Sequence, residues 1–231
     1  MRIPTLVLSL LTVAALAAAP SLPAQDVPVS KRDAAKQWSD DGLARVTVKG
    51  LDAVYARPGT SVGQYPKIRL APVSVSFRRD WGRTSAGSTR ARVRPEDAQR
   101  IRDELAALVR EQMVVELAAG GYQLVDQPGD DVLELDARIV NLYIQAPKLE
   151  TNPAERTYAV SAGEMSLVAE LRDSSSGETA MRIFDRTEAR ETRGMHWISY
   201  TENRAEARRA ASDWARQLRG LLDQAKVVPA Q

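Results

Sequence analysis

Apolar and polar residues alternate over residues 65–77, which predicts a β-strand with one buried face. The alternation shifts by one residue at Pro72. Because proline cannot donate a hydrogen bond to a neighbouring strand, Pro72 indicates a bulge or the edge of a sheet. We therefore predict one strand here, with a bulge or an edge position at Pro72.

Two other stretches carry apolar residues at the spacing of an α-helix. The first opens at Pro95, where the missing N–H of a first-turn proline does no harm, and stops at Gly120-Gly121. Its buried stripe is predicted to comprise Ala98, Ile101, Leu105, Leu108, Val109, Met113 and Leu117. The last helix is predicted to begin near Asn203, because Asn203 and Glu206 have the spacing of a capping box. Its buried stripe is predicted to comprise Ala207, Ala210, Trp214, Leu218, Leu221 and Ala225.

The segments between these helices have the period of strands. We predict strands at 122–125, 132–145, 158–172 and 178–190, with a hairpin connection at 173–177. A slip of the apolar pattern between Ile139 and Val140 indicates a bulge in the longest strand. The order β-α-β-β-β-β-α predicts an α+β fold, a two-layer sandwich in which two helices cover a mostly antiparallel sheet of about five strands.

The amino terminus has the pattern of a secretory signal peptide. Arg2 supplies one positive charge, an apolar run follows from Leu6 to Ala19, and Ala24 is a small residue at the predicted cleavage point. This run is shorter than the roughly 20 residues that a membrane-spanning helix needs, so an uncleaved anchor is the weaker interpretation. The predicted organisation is a signal peptide at 1–24, a flexible leader at 25–41, a single α+β domain at 42–226 and a tail at 227–231.

Composition restricts the classes of function. The chain of 231 residues contains no cysteine, so no disulfide can form after export. Loss of Arg2 with the signal lowers the formal net charge from +2 to +1, which gives no global argument for nucleic-acid binding. We expect no nucleic-acid partner and no cofactor. No second apolar stretch approaches spanning length, so we also expect no transmembrane segment in the mature chain.

Several segments, in their order and spacing, resemble a known bacterial family. They are residues 50–59, Tyr65 with Ile68, 71–75, 125–129 followed by 132–135, 169–173 with Gly177, and the helix around Trp214. The chain resembles DUF3313, a family of unknown function that is common among envelope lipoproteins. The resemblance implies an envelope location and no established activity, and it supplies no catalytic or ligand-binding residues. Many members carry a lipid-accepting cysteine after the signal, whereas Ala24-Gln25 stands here, so we expect no lipidation.

A predicted loop at 78–94 is the most distinctive charged segment, because it combines several arginines with a single acidic residue, Asp80. Its arginines are Arg78, Arg79, Arg83, Arg90, Arg92 and Arg94, and Trp81 lies among them. Guanidinium groups suit phosphates and carboxylates, and an indole can enter an interface. We predict that these six arginines and Trp81, the arginine loop, contact an anionic envelope polymer or lipid, or an envelope protein. The alternative is a solvated loop whose Trp81 folds back onto the core.

No catalytic or metal-binding constellation stands out in the sequence. His196 is the only histidine, and neither a cysteine nor a Gly-x-Ser-x-Gly motif is present. The pairs Asp40-Asp41 and Asp130-Asp131 lack the spacing of a calcium-binding loop. We therefore predict no catalytic, cofactor-binding or metal-binding residues, and no enzymatic activity.

Together these features predict a periplasmic protein, exported by the general secretory route, that acts as a non-catalytic accessory or binding protein of the envelope. Two alternatives stay open. One is a hydrolase of envelope polymers that uses two carboxylates, since the sequence contains 30 acidic residues. The other is a self-associating structural module that adds strands at the Pro72 edge. The ligand, the partner and the oligomeric state are not predicted.

Overall fold

A computed structural model of the protein describes residues 27–28, 30–79, 81, 95–145, 161–188 and 200–227. The helices are α1 (Lys31–Asp40), α2 (Pro95–Ala119) and α3 (Tyr200–Val227). The strands are β1 (Ala44–Val46), β2 (Ala53–Ala56), β3 (Lys67–Leu70), β4 (Ser74–Phe77), β5 (Gln123–Leu124), β6 (Val132–Gln145), β7 (Ser161–Asp173) and β8 (Thr179–Glu188). A short 3-10 helix lies at Val62–Gln64.

The eight strands form one open sheet in the order β1-β2-β8-β7-β6-β3-β5, and β4 also pairs with β6. From β1 through β2, β8 and β7 to β6, each strand is antiparallel to the next one. Strands β3 and β4 run parallel to β6. The mixed α and β architecture is confirmed. The prediction of about five strands and two helices is not exact. The described residues form eight strands and three helices, because β1, β2 and α1 join the fold and segment 65–77 divides into β3 and β4.

The pairing of β6 with its neighbours is irregular near both positions where the apolar pattern predicts a bulge. Strands β3 and β4 are two parts of the segment 65–77, and both pair with β6. Leu70 and Ser74 are four residues apart, whereas their partners in β6, Leu135 and Arg138, are three residues apart. The shift at Pro72 is therefore a one-residue bulge. A second irregularity lies at Asn141, which has a φ of 56° and interrupts the register with β7.

Helix α2 begins and ends where the sequence predicts. Pro95 opens it, and the acidic side chains of Glu96 and Asp97 lie in the first turn, where the helix dipole favours negative charge. Its end is fixed by Gly121, which has a φ of 77°, and by the N–H of Tyr122, which donates to the Leu117 carbonyl at 3.1 Å. Six residues of the predicted stripe are buried: Ile101, Leu105, Leu108, Val109, Met113 and Leu117.

Helices lie on both faces of the sheet. Helices α2 and α3 cover the face that contains Leu135 and Ile183, in the larger apolar core. Helix α1 covers part of the other face, where Trp38 packs with Tyr55 and Phe184 in a smaller core. Since successive residues of a strand point to opposite faces, these two clusters lie on opposite sides. The predicted two-layer arrangement therefore omits α1, which lies within the range predicted to be a flexible leader.

We expect a methyl group at Gly63 to destabilise the fold. A Cβ atom there would lie 2.1 Å from the carbonyl oxygen of Ala225 in α3, so Gly63→Ala should lower the free energy of unfolding by about 1–3 kcal/mol. The matched control is Gly220→Ala, because no atom lies within 4 Å of a Cβ at that helical position. That variant should gain about 0.5–1 kcal/mol. Chemical denaturation measures both, and similar effects in the two variants would contradict this packing.

Candidate functional site

The start of the arginine loop is held at the end of β4. The N–H of Arg78 donates to the Leu142 carbonyl at 3.1 Å, which fixes its backbone to β6. Its guanidinium lies 4.0 Å from the centre of the Tyr143 ring and 3.7 Å from the carboxylate of Glu164. Arg78 is thus partly engaged within the fold, whereas Arg79 is exposed.

Trp81 folds back onto the protein. Its ring stacks on Phe77 with a centroid distance of 3.8 Å and an interplanar angle of 8°, and it packs against the larger apolar core. The guanidinium of Arg102 lies 5.6 Å from the centre of the Phe77 ring. This geometry matches the alternative given for Trp81, in which the ring packs on the core. Contact with a partner is then a prediction for the arginines.

The other predicted contact residues, Arg83, Arg90, Arg92 and Arg94, lie outside the described residues. His196 and the connector around it also lie outside them. The structure therefore brings Arg78 and Trp81 together through a hydrogen bond from the Trp81 N–H to the Arg78 carbonyl at 2.9 Å, and the prediction for the remaining arginines stays a prediction.

A layer of ion pairs lies on the sheet face opposite α2 and α3. We call this layer the charged face; it comprises Arg69, Glu134, Asp136, Arg138, Glu170, Arg172 and Arg182. Glu134 accepts from Arg172 Nε at 2.9 Å and pairs with Arg69 at 2.8 Å. Glu170 accepts from Arg182 Nε at 3.2 Å. Glu134 is only 3% exposed, so its charge depends on these arginines rather than on water.

Two carboxylates of the charged face stand opposite each other. Asp136 on β6 is in register with Glu170 on β7, which is the kind of pair that a glycoside hydrolase would need. Each carboxylate is already bound to an arginine, Arg138 or Arg182. The cavity beside them is about 10 Å³, at the lower limit for one water molecule. This arrangement suits a structural role, and it leaves no room for a sugar.

Sequence reasoning missed the charged face because it assigned the polar residues of each strand to solvent. The signal present in the sequence was the mixture of positive and negative side chains at alternate positions of a strand. Glu134, Asp136 and Arg138 alternate with apolar residues in β6, and Glu170 and Arg172 do so in β7. Opposite charges on adjacent strands pair well when water is excluded. The covering element, α1 with the buried Pro28 before it, was not predicted.

A buried carboxylate also links β8 to α3. Asp185 accepts from the indole N–H of Trp214 at 2.8 Å and from the backbone N–H of Asp52 at 3.0 Å. The Asp52 carboxylate lies 3.7 Å from Lys31. Burial raises the pKa of Asp185 above its ordinary value, although the Trp214 hydrogen bond opposes this shift. Asp185 therefore ties helix, sheet and the segment before β2 together at one point.

The family model of DUF3313, described as a protein of unknown function, matches residues 33–218. The chain belongs to the DUF3313 family. The resemblance inferred from the sequence is thus confirmed, and the match extends into α1, before the predicted start of the domain. A comparison with curated proteins found no match.

Solved structures show distant likenesses to this DUF3313 chain. The PelC dodecamer from Paraburkholderia phytofirmans is 11% identical with a TM-score of 0.37, over 72% of this chain and 96% of PelC. The minor lipoprotein from Acinetobacter baumannii is 16% identical with a TM-score of 0.33, over 69% and 92%. Rare lipoprotein B from Shewanella oneidensis is 16% identical with a TM-score of 0.27, over 68% and 95%. Similarity at this level carries no conclusion about function.

The described part of this DUF3313 chain contains no group of three aspartate or glutamate side chains that could hold a metal ion. Within the same residues, no helix combines the length and the apolar character that a bilayer-spanning segment needs.

We expect Glu134→Gln to destabilise the fold strongly. The substitution leaves the buried guanidinium of Arg172 without its counter-charge, so the free energy of unfolding should fall by about 3–5 kcal/mol. Replacing both partners, with Glu134→Leu and Arg172→Met, should recover most of this loss. The control is Asp213→Asn, which removes an exposed pair with Arg216 and should cost under about 1 kcal/mol. If urea denaturation showed equal losses of unfolding free energy for Glu134→Gln and Asp213→Asn, the role of burial would be contradicted.

We expect acidification to favour folding through Asp185. Because its pKa is higher in the folded chain than in the unfolded chain, the folded chain binds the proton more tightly. The contribution is complete below the unfolded pKa of about 3.9 and is lost as the pH rises through the folded pKa. The difference in unfolding free energy between the native chain and Asp185→Asn should therefore grow as the pH falls. A difference that does not vary with pH would refute this expectation.

Proposed function

We propose that this DUF3313 protein is exported to the periplasm and acts there as a non-catalytic accessory protein that binds an anionic partner of the envelope. The signal pattern at 1–24 supports export. The observation that carries the binding proposal is the base of the arginine loop, where exposed Arg79 follows a segment anchored to β6.

The anchoring favours binding because it reduces the entropy lost on contact. Arg78 is tied to Leu142, and Trp81 is stacked on Phe77, so one residue before Arg79 and one residue shortly after it already contact the fold before a partner arrives. The chain then continues through four more arginines with Asp80 as its one acidic residue. Guanidinium groups so close together in the sequence favour contact with phosphate or carboxylate groups of lipids and polymers.

The role of accessory protein is also supported by the state of the charged face. Its facing carboxylates are neutralised by arginines, which suits the packing of a binding domain better than acid–base chemistry. The proposal therefore assigns Glu134, Asp136 and Glu170 to stability and the arginine loop to recognition.

Charge reversal tests the proposal in fractionated cells. The native chain should lose residues 1–24, appear in the periplasm and co-sediment in part with envelope membranes. The variant Arg79→Glu, Arg83→Glu and Arg92→Glu should lose co-sedimentation and keep its export and folding. The matched control reverses Arg204, Arg209 and Arg216 on the exposed surface of α3, with the same change in net charge. Unchanged sedimentation of the first variant, or equal loss in the control, would overturn the arginine-loop proposal, and retention in the cytoplasm would overturn export.

A further inference from the structure

A second concave site lies at the other end of the sheet. It is a cavity of about 290 Å³ between the segment that leads into β3 and the turn between β7 and β8. Asp173 at its wall is in register with Leu133, whereas Arg78 is bonded to Leu142, so the cavity and the arginine loop lie near opposite ends of β6. We call it the polar pocket; its polar lining comprises Thr60, Ser61, Gln64, Tyr65, Asp173, Ser176 and Glu178.

One wall of the polar pocket is built around Asp173. One carboxylate oxygen accepts from the N–H groups of Ser175 at 2.9 Å and Ser176 at 2.7 Å, and from the Ser176 hydroxyl at 3.0 Å. The other oxygen accepts from the Tyr65 hydroxyl at 2.8 Å. The N–H of Ser176, with these other donors, lowers the pKa of Asp173, so it is ionised at neutral pH. Four donors hold this carboxylate in one orientation.

The opposite wall is also held in place by contacts within the fold. Gly63 packs against the backbone of Ala225, which positions the residues on either side of it. Tyr65 is buried, and burial together with its bond to Asp173 raises its pKa, so the hydroxyl keeps its proton. A pocket with fixed polar groups pays little ordering cost when a ligand binds.

The chemistry of the lining restricts the ligand. The pocket holds two carboxylates, and Arg57 balances only Glu178, at 3.1 Å, so an anion would meet a net negative charge. An apolar ligand would cover the polar side chains of Thr60 and Gln64 without offering them a hydrogen bond. A metal ion is disfavoured because both oxygens of Asp173 already accept hydrogen bonds. A small molecule rich in hydroxyl groups satisfies the mixture of donors and acceptors.

We propose that the polar pocket binds a single sugar residue that is neutral or carries an amine. Its volume is close to the lower end of the range for small-molecule sites, which suits one ring rather than a longer glycan. Glu178, whose side chain is 60% exposed, accepts from ring hydroxyls or from an ammonium group at the mouth. This site is separate from the arginine loop, and the inference does not depend on the proposed function.

Three related monosaccharides test the proposal on the purified protein: glucose, glucosamine and glucuronate. Saturation-transfer NMR and calorimetric titration should detect glucose and glucosamine, with glucuronate at least about tenfold weaker because its carboxylate meets Asp173 and Glu178. The variant Glu178→Gln should weaken the binding of glucosamine more than that of glucose, and it should strengthen the binding of glucuronate. Gln64→Ala, at the opposite wall, should weaken all three sugars.

The matched control is Glu206→Gln, which makes the same chemical change on the exposed surface of α3. It should leave the order and strength of binding unchanged. Absence of binding by all three sugars, equal binding of glucuronate and glucose, or equal effects of the two glutamine variants would each overturn the proposal. Sugar binding should persist when the charges of the arginine loop are reversed, so the two proposals fail or succeed separately.

Discussion

Strand β6 is buried on both faces, and this constraint shapes the rest of the molecule. Leu133 and Leu135 lie under α2 and α3, while Glu134 and Asp136 on the other face are 3% and 6% exposed. A carboxylate removed from water is costly unless an opposite charge lies beside it. Arginines must therefore stand close to both carboxylates, and Arg172 on β7 lies directly across from Glu134. The two faces of β6 have different chemistry, and each requires its own partners.

The two faces contribute differently to the fold. The apolar face supplies the free energy of burial, since hydrophobic contact does not depend on direction. The charged face opposes other registers, because a slip of one residue would move Glu134 into the apolar core and Leu135 out of it. The bulges at Pro72 and Asn141 add to this selection, since each fits only one alignment of β6 with its neighbours. Uniqueness of the sheet thus depends on polar residues as well as apolar ones.

The sequence predicted elements whose signals are local. Helix α2 has a proline start, a glycine end and an apolar stripe, so its limits agree with the structure. Helix α1 buries only Ala34 and Trp38, so its stripe is too short to recognise, although the Ser30 hydroxyl that accepts from the N–H of Asp33 was a readable cap. The polar pocket depends on residues more than a hundred positions apart, such as Tyr65 and Asp173, and the charged face depends on pairs between strands, such as Arg69 with Glu134. Only the tertiary structure brings such residues together.

The length of β6 decides what one ligand can reach. The polar pocket lies beside Leu133 and the base of the arginine loop beside Leu142, which are about 30 Å apart at roughly 3.3 Å per residue. A lipid headgroup or a monosaccharide is far smaller than this distance, so either would occupy one end only. A polymer with sugar rings and acidic groups could span both ends, and binding at one end would then raise its effective concentration at the other.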